Sequence, residues 1–154
     1  MRLSLTINGR AREVDVEPSR TLLDVLRDTL GIFDVKEGCG EGVCGACTVL
    51  LDGRPASSCL VLAPTAARHA ITTVRALEDD GELHPLQQAF LRHGAVQCGF
   101  CTPGMLLTAL DLLQTNPRPT EAEIRQGLSA VLCRCTGYQG IVDAVAAVAR
   151  GAAS

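Results

Sequence analysis

Eight cysteines stand in this chain of 154 residues, and they fall into two sets of four: Cys39, Cys44, Cys47 and Cys59, then Cys98, Cys101, Cys133 and Cys135. Thiolates are soft ligands that suit zinc and iron-sulfur centres. Met1 to Arg10 alternates Leu3, Leu5 and Ile7 with polar residues instead of forming the apolar core of a secretion signal, so a reducing compartment is expected. Such a compartment keeps few disulfides. Metal ligation is therefore favoured over disulfides, and over buried thiols acting as small apolar groups.

The first set reads C-x4-C-x2-C with a fourth cysteine further on, the plant-type pattern for a 2Fe-2S cluster. Gly38, Gly40, Gly42 and Gly45 punctuate the loop. A backbone that wraps an anionic centre needs unusual φ angles and unobstructed N–H groups, which glycine allows. Gly40-x-Gly42-x-x-Gly45 also matches a dinucleotide fingerprint by letter, but it contains Cys44 and opens onto a strand instead of a helix, so that reading is rejected. Four thiolates would satisfy tetrahedral zinc as well; three cysteines sharing one glycine-rich loop favour iron-sulfur over the paired knuckles of zinc sites.

The second set, Cys98-x-x-Cys101 and Cys133-x-Cys135, is less decisive, and its spacing leaves zinc open beside iron-sulfur. A thiol-disulfide redox pair at Cys98 and Cys101 lacks the surrounding β-α-β pattern. A Rieske centre lacks nearby histidines: His69, His84 and His93 read as surface or capping residues.

The elements around these residues split into two kinds. Arg2–Asn8, the Asn8-Gly9 turn and Glu13–Val16 predict a β-hairpin, and Leu22, Leu23, Val25, Leu26 and Leu30 a short helix ending at Gly31. A second hairpin is expected from Thr48 to Ser58 about Asp52-Gly53, and a last strand over Ile71–Val74. After the polar stretch 77–82 the apolar period lengthens, predicting four helices: His84–His93, one capped by Thr102 with Pro103 at its first position, one opened by the Thr120/Glu123 capping box, and Ile141–Arg150. The expected fold class is α+β, with a β-grasp domain over 1–76 and a four-helix domain over 77–154. Each later cysteine pair then falls between two helices. Domains this small gain stability from a metal or cluster staple.

Composition narrows the function. A net charge of -3, 47% hydrophobic and 20% charged residues indicate a folded chain. No Trp, one Tyr and three Phe, with no basic surplus, argue against nucleic acid as a partner. No apolar run reaches the roughly 20 residues of a membrane span. A cytoplasmic chain without membrane contact is expected.

Three motifs, Gly38-Cys39-Gly-Glu-Gly-Val-Cys44-Gly-Ala-Cys47, Gln97-Cys98-Gly-Phe-Cys101-Thr-Pro-Gly104 and Cys133-Arg-Cys135-Thr-Gly-Tyr138, together resemble the iron-sulfur subunit of the molybdenum hydroxylases, the xanthine oxidase family. The likeness is greatest to the separate small subunit of three-subunit members such as aerobic carbon monoxide dehydrogenase, and it covers nearly the whole chain. It implies a plant-ferredoxin-like domain in which Cys39, Cys44, Cys47 and Cys59 hold a 2Fe-2S cluster distal to molybdenum. It implies equally a helical domain in which Cys98, Cys101, Cys133 and Cys135 hold the proximal one. It implies that Gln97 bonds the pterin of a molybdopterin cofactor on a large partner subunit, and that a medium subunit carries FAD, or a cytochrome takes its place, in a dimer of heterotrimers.

Hydroxylation at molybdenum releases two electrons, and 2Fe-2S clusters pass them singly to a flavin or other acceptor. The chain itself shows no general base, nucleophile or substrate pocket; its enzymatic role is that of an electron-transfer subunit of an oxidoreductase. Tyr138 and Arg134 read as packing, surface or interface groups. Two other classes stay in view: a free-standing two-cluster ferredoxin, for which -3 is a modest charge, and a zinc-stabilised interaction module.

Overall fold

The computed structural model describes residues 1–151; the last three residues of the expected second domain lie outside the described residues. Strands β1 (Arg2–Ile7) and β2 (Arg10–Asp15) form the first hairpin, with Ser4 opposite Glu13. Its turn residues Asn8 and Gly9 both take positive φ, 49° and 75°, as a tight hairpin requires. Strands β3 (Thr48–Leu51) and β4 (Arg54–Ser57) form the second hairpin, and β5 (Ala70–Thr72) completes one five-stranded sheet in the order β2-β1-β5-β3-β4. Strands β1 and β5 pair in parallel, and the other neighbours in this sheet pair antiparallel.

The predicted first helix is present but changes character along its length. Helix α1 (Leu22–Asp24), with a Thr21/Asp24 capping box, passes directly into a π turn over Val25–Thr29, in which the Leu30 N–H reaches back to the Val25 carbonyl. A short helix α2 (Ala63–Ala66) with Pro64 in its first turn had no expectation attached to it. The last strand stops earlier than the pattern suggested, because the Thr73 N–H turns to the Asn8 side chain at 2.8 Å. Val74–Leu77 then winds into a 3₁₀ turn.

Four longer helices follow: α3 (Pro85–Arg92), α4 (Thr102–Thr115), α5 (Glu121–Leu128) and α6 (Gln139–Ala149). The Thr120/Glu123 box caps α5 as its sequence indicated. Thr102 is not the cap of α4. Cys101 is already helical (φ -80°, ψ -15°) and its carbonyl accepts from Met105, so the helix begins one residue early and the buried Thr102 hydroxyl has no hydrogen-bond partner among the described residues.

Two cores result. One packs Leu5, Ile7, Val14, Val49 and Ile71 of the sheet against Leu22, Val25 and Leu26. The other gathers Leu86, Phe90, Met105, Leu107, Ile124, Ile141 and Val145 from the helices. Strand β3 serves both, because successive side chains point to opposite faces: Val49 enters the first core and Leu50 the second. Helix α4 packs on that outer face, where Arg54 and Asp111 pair at 3.7 Å.

Candidate iron-sulfur sites

None of the eight cysteines is in a disulfide, and each set comprises an outer and an inner half. Cys39 is exposed and Cys44 half-buried, whereas Cys47 and Cys59 are buried; Cys98 and Cys135 are exposed, whereas Cys133 is half-buried and Cys101 buried. The sulfurs meet in twos: Cys39 with Cys44, Cys47 with Cys59, Cys98 with Cys135, and Cys101 with Cys133. Among the described residues no three His, Cys, Asp or Glu side chains converge on one point. Two pairs facing each other fit a binuclear centre with two thiolates per metal.

The loop before β3 supplies the donors that such a centre needs. The N–H groups of Glu41, Val43 and Cys44 all point at Cys39 Sγ, at 3.4, 3.3 and 3.4 Å. Those of Glu41, Cys44 and Val43 pull the Cys39 thiol down to about 6, the thiolate form in which sulfur ligates. Gly40, Gly42 and Gly45 hold φ of 69°, 79° and 70° along this turn. Burial pushes Cys59 up to about 11 and Cys101 up to about 12. A bound cation reverses that cost, since a coordinating thiol loses its proton outright. The donor set therefore fits the cluster on both counts.

In the helical half, the Phe100 N–H approaches Cys98 Sγ at 3.5 Å and draws that thiol down. Burial pushes Cys133 up, but the Thr136 hydroxyl, 3.0 Å from its sulfur, and the Thr136 N–H outweigh it, and the net direction is downward. Tyr138, with φ 69°, turns its ring so that the hydroxyl accepts the Cys133 N–H at 2.9 Å. The packing and surface role expected of Tyr138 thus omits a polar one: it holds the cysteine-bearing backbone. Arg134 lies at the surface, as expected.

The two loops touch. A side chain on Gly45 would meet the Ala130 carbonyl oxygen at 2.2 Å, and one on Gly104 would meet the Gly45 carbonyl oxygen at 2.5 Å. Only glycine permits this approach, and it lets the Leu132 N–H donate to the Cys44 carbonyl at 2.9 Å. The two cysteine loops therefore pack against each other at Cys44 and Gly45, while Cys39, Cys98 and Cys135 are exposed. Gln97 is exposed at the rim beside Cys98, and its amide makes no hydrogen bond among the described residues. Of the histidines, His84 caps α3, with Nδ1 accepting the Leu86 N–H at 3.1 Å, and His69 pairs with Asp52 at 2.6 Å, both apart from the cysteines.

Comparison with known proteins shows the domains and the family. Residues 5–72 match the 2Fe-2S iron-sulfur cluster binding domain and residues 73–146 a second 2Fe-2S binding domain. The nicotinate dehydrogenase small FeS subunit of Eubacterium barkeri is 52% identical over 143 residues, covering 93% of this chain and 91% of that protein. The chain belongs to the small iron-sulfur subunits of the molybdenum hydroxylases. Another relative, the caffeine dehydrogenase subunit gamma of Pseudomonas sp. (strain CBB1), is 50% identical over 150 residues, 95% of this chain and 89% of that one. A chain of quinoline 2-oxidoreductase from Pseudomonas putida 86 superposes with a TM-score of 0.94 at 51% identity, covering 99% of this chain and 95% of that chain.

Membership resolves what the spacing left open. The protein is an electron-transfer subunit of a multi-subunit oxidoreductase whose molybdenum centre is on a partner, and it carries two 2Fe-2S clusters in a ferredoxin-like and a helical domain. Among the described residues no helix is long and apolar enough to cross a membrane.

Proposed function

We propose that Cys39, Cys44, Cys47 and Cys59 hold the ferredoxin-type cluster and that Cys98, Cys101, Cys133 and Cys135 hold the helical-domain cluster, with the domains dividing at 76/77. The observation that carries this reading is the arrangement of each set as two thiol pairs, with the two loops bonded to each other through Leu132 and Cys44. The separate cores support the division.

A bound 2Fe-2S cluster takes up and returns one electron at a time. The residues of this chain set how easily. Three N–H groups on Cys39 and the Thr136 hydroxyl on Cys133 stabilise negative charge on sulfur, which favours the reduced state. Burial of Cys47, Cys59 and Cys101 excludes water from the inner sides, while the glycine contacts keep the two loops close. Cys98 and Cys135, with Gln97 beside them, form the face offered to the molybdenum subunit, where the exposed Gln97 amide bonds the pterin. Cys39 faces the acceptor subunit, which carries FAD. The assembly is a dimer of heterotrimers in the cytoplasm. Relatives named for nicotinate, caffeine and quinoline make an N-heteroaromatic substrate the class to try, its site lying on the large subunit.

Isolation of the tagged chain from its native host tests this. The expected result is two larger partners with molybdenum and FAD at about one per small subunit; a chain that elutes alone with iron and sulfide would instead be a free ferredoxin. In the intact complex, Gln97→Ala is expected to slow substrate-driven cluster reduction with both clusters assembled. Unchanged reduction rates would remove Gln97 from the pterin contact.

A further inference from the structure

Phe100 lies in sequence between Cys98 and Cys101, so its neighbours along the chain belong to the helical-domain site. Its backbone serves that site, because its N–H approaches Cys98 Sγ at 3.5 Å. Its side chain reaches the other loop. A carbon placed on Gly38 would stand 3.6 Å from the Phe100 ring edge, 3.5 Å from Ala46 Cβ and 2.7 Å from Cys44 Sγ. The ring edge and the Cys44 sulfur thus both border Gly38, in the other cysteine loop, and glycine at 38 leaves the gap between them open.

We infer that Phe100 is a positioning residue whose backbone belongs to one cluster site and whose ring sets the water access, and so the reduction potential, of the other. This rests on the ligand assignment proposed above. Reduction adds a negative charge to a centre already held by four thiolates. An apolar ring beside Cys44 displaces water that would otherwise stabilise that charge, and an ion with less water around it is costlier to form. Solvent exposure is accordingly one of the levers on iron-sulfur potentials. Phe100 is 45% exposed and Cys44 half-buried, so the ring covers an edge of that loop that bulk water would otherwise reach. Its removal opens that edge while leaving the residue-100 N–H in place. The effect is therefore asymmetric: the ferredoxin-type potential rises and the helical-domain potential holds.

The test is an EPR-monitored redox titration of the full chain, wild type against Phe100→Ala, Phe100→Leu and Phe100→Gln. The two signals are assigned beforehand with Cys47→Ala and Cys133→Ala, and iron per chain is measured on every sample. In Phe100→Ala and Phe100→Gln the ferredoxin-type signal should show a severalfold, up to about tenfold, larger reduced-to-oxidised ratio at a fixed potential, tenfold being about 59 mV for one electron. Phe100→Leu should stay near wild type, because it keeps apolar bulk. If Phe100→Ala loses iron, the Gln and Leu variants still decide, since they fill similar space with opposite polarity. Equal potentials in Gln and Leu, or a larger shift at the helical-domain cluster, would overturn the inference. Failure of the assigning variants to remove separate signals would refute the ligand assignment instead.

Discussion

The Leu132 N–H donates to the Cys44 carbonyl at 2.9 Å, so the residue before Cys133 is bonded to a thiol-bearing residue of the other loop. Two glycines make that bond possible. Where Gly45 sits, a side chain would overlap the Ala130 carbonyl; where Gly104 sits, it would overlap the Gly45 carbonyl.

Gly45→Ala should therefore separate the loops. The positive φ alone costs about 1 to 3 kcal/mol for a residue with Cβ, and the collision adds to it. Gly40→Ala is the control: its φ is equally positive, at 69°, yet nothing lies within 4 Å of the added carbon. Urea-induced loss of the visible cluster spectrum should show Gly45→Ala markedly less stable than Gly40→Ala. Equal losses would mean that the contact between loops contributes nothing.

Tyr138→Phe keeps the ring and removes the acceptor of the Cys133 N–H. A part-buried donor left without a partner costs about 1 to 3 kcal/mol. The variant should bleach at lower denaturant than wild type and release iron first from the helical-domain site, as read by the loss of one EPR signal before the other. Simultaneous loss at wild-type denaturant would refute the role.

His84 supplies a pH test away from both sites. Its Nδ1 accepts the Leu86 N–H, which only the unprotonated nitrogen can do, and burial lowers its pKa. The folded state thus prefers neutral histidine. The cap's contribution is complete above the ordinary value of about 6.5 and is lost as pH falls below it, because the unfolded chain takes up the proton first. His84→Asn caps without titrating near neutrality. The stability gap between wild type and variant should move against wild type from about pH 7.5 to about pH 5.5. A constant gap would contradict the assignment.

What the sequence discloses and what it hides follow from the range of the interactions. The loop cysteines, the Asn8-Gly9 turn and the Thr120/Glu123 cap are set by neighbours a few residues away, and their patterns are legible along the chain. The early end of β5 is not, since it depends on Asn8 accepting from Thr73 across the fold. The same holds for Thr102, displaced from the cap by a Cys101 already in helical conformation. Leu50 reads as one strand residue among several, yet it enters the helical core through the far face of the sheet. Tyr138 and Phe100 stand inside recognisable motifs, but their contacts arise only once two loops are folded together.

Every role assigned above depends on the eight cysteines forming two separate four-thiol sites. Iron, acid-labile sulfide and dithionite-reduced EPR on wild type, Cys47→Ala and Cys133→Ala test it most directly. Wild type should hold about four iron and four sulfide per chain with two distinct signals. Each variant should hold about two iron, with Cys47→Ala keeping only the helical-domain signal and Cys133→Ala only the ferredoxin-type one. Zinc in place of iron, or loss of the same signal in both variants, would contradict it.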